Sequence, residues 1–384
     1  MGKISTEESY ALSIEDVANT IANTGTEITY LVEGHIGSGK STILKMLMAM
    51  PKFKDTHVGC YFDCTTKDMG DLLIPNLQSI GDDGIVRFAP NSELGLQHKK
   101  PVVLMFDELG KAVPPIRRAA NRVALEKKIG EHTLPKGSVV FATTNLGAEN
   151  IGDMLEAHSR DRYTPIRMRK AGADEWIENY AIPNNISPAV MGFAKDTPEI
   201  FNSFEVVKDP KDNPYIFHPE DPQRNAQGFL TLRGLERASW IVDKKHTLSD
   251  VALTAALRGT IGVAGSKALF SYVNMLGSLP SVEDIEKNPL GAIVPNNNMA
   301  AQSMIVYRAL GGQLARSWID NWFAYLERLH PAMQGLFMQS VVATKTGGSA
   351  DDFKYPKIVR ICTSNATFRE WCKTHNYAFT ADKK

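Results

Sequence analysis

Short apolar runs and amphipathic stretches alternate between about Ile28 and Met168. Ile28-Thr29-Tyr30-Leu31-Val32 is β-branched and aromatic and reads as a buried strand. Thr42 to Met50 reads as a helix, and His57 to Asp63 as a second strand. Pro101 to Phe106 is apolar throughout and ends in Asp107-Glu108. An all-apolar run of that length suits a central strand of a parallel sheet, covered on both faces. Ile116, Ala119, Ala120, Val123 and Leu125 recur at near-helical spacing within Pro114 to Ile129. Ser138 to Asn145 is a further apolar strand with a polar end, and Tyr163 to Met168 a fifth. This alternation predicts an α/β fold: a parallel sheet with right-handed crossovers, flanked by helices.

The pattern changes after about Gly172. Asp209 to Asn225 is rich in Pro, Asp and Asn and reads as an irregular insertion. Leu232 to Leu276 is helical in pattern, Pro280 to Asn298 is again rich in Pro and Asn, and Met299 to Val342 is helical. The expected division is an α/β core over 1–171, a helical region over 172–280 and a mostly helical extension over 281–384. No internal repeat or low-complexity tract is visible.

Between the first strand and helix, Gly34-His35-Ile36-Gly37-Ser38-Gly39-Lys40-Ser41 spells G-x-x-x-x-G-K-S. Strand, glycine loop and helix together make this pattern a phosphate site. The glycines let successive N–H groups turn inward, and the helix N-terminus, where Thr42 begins, adds partial positive charge. Lys40 is expected on the β- and γ-phosphates and the Ser41 hydroxyl on Mg²⁺. His35 is expected to point outward, with no catalytic role. Asp107 and Glu108 fall at the C-terminal edge of their strand, where ligands bind in open α/β sheets. There Asp107 would hold Mg²⁺ through its water shell, and Glu108 would polarise an attacking water.

Charge is balanced, 43 basic against 43 acidic residues, which argues against coating nucleic acid as the main task. Cys60, Cys64, Cys362 and Cys372 show no C-x-x-C spacing, so neither a zinc site nor a disulfide framework is expected. Met1 to Asp16 lacks an apolar signal region, and no run is long enough to span a membrane; a cytoplasmic location is the expectation. Trp176, Trp240, Trp318, Trp322 and Trp371 read as core or subunit-interface residues.

Asp107-Glu108-Leu109-Gly110-Lys111-Ala112, Pro114-Pro115 and Leu125-Glu126 resemble the D-E-x-N-R-A-x-P and L-E segments of AAA+ ATPases of the MoxR class, departing from them at Gly110 and Lys111. Leu134-Pro135 followed by Val139 to Asn145 resembles the approach to sensor 1. Arg160-Asp161-Arg162-Tyr163 is similar to that family's R-x-R-F ending. Thr231-Leu232-Arg233-Gly234-Leu235-Glu236 is similar to sensor 2, with Leu232 in place of Pro. Gly259 to Gly262, Leu279-Pro280 and Phe368 to Trp371 resemble the branch containing CbbQ and NorQ.

The resemblance implies a P-loop AAA+ core, an α-helical lid and a helical extension. It also implies Mg·ATP hydrolysis in a ring, hexameric in that family. Asn145 would be the sensor, Arg233 would reach the phosphates from the lid, and Arg160 or Arg162 would complete a neighbouring subunit's site. Thr65 to Asn91 and Ile129 to Ser138 would be family insertions facing a pore or partner, with Lys67, Asp68, Leu72, Leu73 and Ile74 as contacts. The partner implied is a von Willebrand A-type domain on a separate chain, activated in a chaperone-like way. A nucleic-acid-stimulated motor, a binding module without turnover and a small-molecule phosphotransferase are the competing readings.

Overall fold

A computed structural model of the chain describes residues 10–76, 84–147, 160–342 and 355–375. It falls into two compact units. The first is Met1–Ala171 with two short returns of the chain, Ser203–Lys208 and His218–Asp221; the second is Gly172–Asn202, Asp209–Phe217 and Pro222–Lys384.

In chain order, the first unit runs α1 (Ile14–Thr24), β1 (Tyr30–Gly34), α2 (Thr42–Ala49), the single turn α3 (Pro51–Lys54) and β2 (Val58–Asp63). It continues through β3 (Leu73–Asn76), β4 (Arg87–Pro90), β5 (Val102–Asp107), α4 (Pro114–Glu126), β6 (Lys128–Ile129), β7 (His132–Thr133), β8 (Val139–Thr144) and β9 (Thr164–Met168). Five of these strands form a sheet in the order β2-β5-β8-β1-β9, parallel throughout, as the apolar runs predict.

Side chains alternate across this sheet. Val103, Met105, Val139, Phe141, Tyr30 and Val32 pack with α1 and α2 on one face. Leu104, Phe106, Val140, Ala142 and Leu31 pack with α4 on the other. Every residue of β5 and β8 is buried, which is why these segments carry no polar alternation until their C-terminal ends.

Strand β1 starts and ends two residues later than the apolar run suggests, because its pairing with β9 continues to Gly34 opposite Met168. Its approach is tied to the end of α4. Thr29 Oγ1 donates to Ala124 O at 2.8 Å and accepts from Lys127 Nζ at 2.8 Å. Burial pushes the Lys127 ammonium down to about 8.

Both expected insertions hold antiparallel hairpins, β3–β4 and β6–β7; residues 77–83 lie outside the described part. The hairpins touch, with His132 Nε2 2.7 Å from Phe88 O. Two of the expected contact residues turn inward. Leu72 is buried in the core and Leu73 packs against it. Lys67 is paired with Glu93, and the Asp68 side chain caps a short turn. Ile74 is exposed, together with Met69, Ile85, Val86 and Phe88.

Among its described residues the second unit carries helices and no strand. Its long helix, Asp250–Leu276, is interrupted at Gly262, which adopts φ 76° and ψ 175°. The Pro/Asn-rich stretch after Leu279 is fastened by side chains: Arg308 donates to Pro280 O, Arg328 to Ala292 O, and Tyr325 to Ile293 O. Four of the five tryptophans are buried, and Trp240 is exposed. No described helix is long and apolar enough to cross a membrane.

Gly262 cannot be replaced without a shift of backbone. A Cβ there would stand 2.5 Å from Gly228 O, at a φ that side chains rarely adopt. Gly262→Ala is expected to lower stability by about 3 kcal/mol, clash and backbone strain combined. Urea denaturation of the variant checks this; an unchanged midpoint would contradict the described break in the helix.

Candidate functional site

The glycine loop leaves β1 at Gly34 and enters α2 after Ser41. Gly37 and Gly39 adopt φ 65° and 93°, the left-handed conformations that let the chain curl. Inside the loop Ser38 Oγ donates to His35 O at 2.7 Å, and Thr42 Oγ1 donates to Gly39 O at 2.6 Å. Ile36 is half-buried, and Ser41 stands at the head of α2 with no capping bond from its side chain.

Lys40 is 8% exposed. Its ammonium donates to Gly34 O at 2.7 Å, to His35 O at 2.8 Å and to Asn145 Oδ1 at 2.8 Å. Lysine can only donate, so Asn145 must offer its carbonyl oxygen, and the amide NH₂ is left as the group able to face an anion. Asn145 reaches Lys40 because β8, whose end it follows, pairs directly with β1.

On the other side β8 pairs with β5, and the two acidic residues lie there. Asp107 is buried. Thr143 Oγ1 donates to its Oδ1, and Tyr61 OH donates to its Oδ2 at 2.8 Å. The Thr143 hydroxyl also accepts from the Glu108 N–H at 3.2 Å. Glu108 is held at φ 52°, a conformation uncommon outside glycine. Its Oε2 accepts from Lys111 Nζ at 2.7 Å. Lys111, a departure from the resembled motif, is therefore the immediate partner of the candidate water-activating carboxylate.

His35 corrects an expectation. It does not point outward: it is 5% exposed, and its Nε2 lies 3.4 Å from Glu205 Oε2. Arg167 of β9 pairs with the same carboxylate oxygen. Phe204 meets the His35 ring edge-on at 5.6 Å. The hydrogen bond from His35 foremost, then Arg167, holds the Glu205 carboxyl down to about 2. The return segment Ser203–Lys208 thus docks on the back of the glycine loop.

Of the remaining expected site residues, Arg160 is exposed and ion-paired with Glu33 of β1 in its own chain. Arg162 is half-buried in the turn before β9. Arg233 belongs to the second unit, exposed in the first turn of helix Leu232–Asp243, behind the Thr231 side chain that caps it. Residues that the motif reading missed are Tyr61, Thr143, Glu33, Arg167 and Glu205. Thr143 alone had a local signal, a hydroxyl in the polar end of an apolar strand.

The donor set can be tested against Mg²⁺ on its chemistry. Among the described residues no group of three or more His, Cys, Asp or Glu could cage a metal. Mg²⁺ on a nucleotide needs less: one or two protein oxygens, with phosphates and waters completing the octahedron. One buried carboxylate and the hydroxyl heading α2 fit that requirement.

No protein-family model matches the chain, and no curated protein matches it. Among solved structures it is similar to the closed state of Hsp104 with ATPγS and FITC casein, at 21% identity and TM-score 0.31 over 44% of this chain and 35% of that one. It is also similar to NtrX from Brucella abortus in complex with ATP, at 13% identity and TM-score 0.36 over 75% and 60%. A mutant form of RuvB from Thermotoga maritima aligns at 9% identity and TM-score 0.34 over 69% of each chain. The likeness is partial, and the chain spans about a third of the length of Hsp104 and three fifths of NtrX.

Glu205 gives a pH test of the loop anchor. A carboxyl lowered from 4.5 to about 2 on folding stabilises the fold at pH above the unfolded value. That contribution is lost as pH falls through this window toward the folded value. The stability difference between the unsubstituted chain and Glu205→Gln should stay level from about pH 6 to 5 and narrow below about pH 4.5. Urea midpoints across this range measure it; a gap that stays constant down to about pH 3.5 would show that the cluster does not form.

Proposed function

We propose that this chain is a Mg·ATP-hydrolysing AAA+ ATPase that assembles into a ring, hexameric by the family resemblance, and remodels a protein partner. The observation that carries the reading is the convergence of three adjacent strands. The loop after β1 supplies a buried lysine, the end of β8 supplies an amide bonded to it, and the end of β5 supplies two carboxylates. A phosphate chain on the glycine loop gives Lys40 anionic acceptors in place of neutral ones, and charge-assisted hydrogen bonds are the stronger kind.

Gly34 to Thr42 would enclose the phosphates. Ser41 and Asp107 would hold Mg²⁺, which on such a substrate neutralises phosphate charge. Glu108 would orient and deprotonate the attacking water through Oε1, since Oε2 accepts from the Lys111 ammonium. The Asn145 amide would steady the water or the terminal phosphate. A guanidinium from a neighbouring subunit, Arg160 or Arg162, would stabilise charge in the transition state. For Arg160 this requires exchanging Glu33 for a neighbour's phosphate. Arg233 would report nucleotide state from the helical unit. The exposed apolar residues of the β3–β4 region offer a surface for a protein partner, which by resemblance carries a von Willebrand A-type domain on a separate chain.

ATP hydrolysis per subunit should rise with protein concentration and then saturate, because sites are completed between subunits. Activity that is appreciable yet flat across a dilution series that dissociates the assembly would remove the ring mechanism. Stimulation by nucleic acid, with no effect of protein partners, would turn the reading toward a motor.

Lys40→Ala should abolish binding of labelled ATP. Glu108→Gln should retain binding and lower turnover by about 10² or more, the usual contribution of a positioned base. Near-normal turnover in Glu108→Gln would assign water activation elsewhere.

A further inference from the structure

Tyr61 is an aromatic residue that burial does not explain: it is 44% exposed on a strand whose apolar neighbours Cys60 and Phe62 face the core. The alternation of β2 puts Gly59, Tyr61 and Asp63 on the opposite face, where Gly59 meets Met48 and Leu44 of α2. This is the face of the sheet that carries Asp107 and Thr143 at its C-terminal edge.

The register explains why the side chain must be long. Asp63 is the cross-strand partner of Asp107, so Tyr61 stands two residues short of it, about 6.6 Å along the strand. A phenol spans that distance and ends in a donor. A serine or threonine at 61 would fall short, and a phenylalanine would arrive without a proton to give. The hydroxyl reaches Oδ2 of Asp107 while Thr143 holds Oδ1.

A carboxylate gripped by one donor on each oxygen cannot rotate about its Cβ–Cγ bond. Thr143 alone would leave that rotation open. We propose that Tyr61 is a positioning residue, which through its hydrogen bond to Asp107 fixes the carboxylate in the plane that receives hydrated Mg²⁺ on a bound nucleotide. The inference rests on the Mg·ATP reading of the site.

The test compares binding of the N-methylanthraniloyl fluorescent ester of ATP by the full chain in Mg²⁺ and in EDTA. Tyr61→Phe should leave affinity in EDTA unchanged and reduce the gain in affinity from Mg²⁺ by about tenfold, the scale of losing a group that orients a metal-binding carboxylate. A Mg²⁺ gain equal to that of the unsubstituted chain overturns the inference and leaves the ATP reading intact. Equal loss of affinity in both conditions also overturns it, since Tyr61 would then serve the sheet edge. An unsubstituted chain that fails to bind the nucleotide in either condition overturns the ATP reading and this inference with it.

Discussion

The candidate site depends on one constraint, the insertion of β8 between β1 and β5. Neighbouring strands lie about 4.8 Å apart, so the glycine loop and the acidic pair start from strands separated by about 10 Å. Thr143 and Asn145 fill that interval from the intervening strand and its end. Thr143 holds Asp107 and receives the Glu108 N–H, while Asn145 holds Lys40. Direct pairing of β1 with β5 would leave these bridging groups no place, and would crowd the loop against the carboxylates. The two-sided burial of β5 and β8 keeps this spacing rigid.

The charged groups around this edge are already engaged. Lys40 has three oxygens, Glu108 has Lys111, Glu33 has Arg160, and Glu205 has Arg167 and His35. A ligand arriving here exchanges partners and does not meet bare charges. Affinity for a ligand then depends on the difference between old and new partners; at Lys40 the oxygens of Gly34, His35 and Asn145 are neutral acceptors.

The sequence was most legible where local physics decides structure. Two-faced burial makes β5 and β8 apolar along their length, and the glycines of the loop stand where positive φ is needed. Those signals located strand, loop, helix and acidic pair. They carried nothing about which strand lies beside which, so the bridging of Thr143 between Asp107 and Glu108 could not be read. Tyr61 was invisible for a related reason: its reach to Asp107 is a property of cross-strand register, not of its own segment. Leu72 and Leu73 read as surface contacts because they sit in a glycine-punctuated insertion, yet the apolar core beneath claims them. His35 read as a variable loop residue because its partner lies far along the chain.

That last pair bears on the order in which the molecule can take shape. Glu205 follows His35 by 170 residues (205 minus 35), and the whole of Gly172–Asn202 intervenes. A chain emerging from the ribosome can pair its five strands once Met168 is out, because all of them precede it. The back of the glycine loop must wait for Ser203–Lys208, and closing so long an excursion is slow relative to local pairing. A nascent chain therefore passes through an interval with a complete sheet and an unanchored glycine loop. The fastening of that loop is a late event in synthesis, set by the arrival of one glutamate.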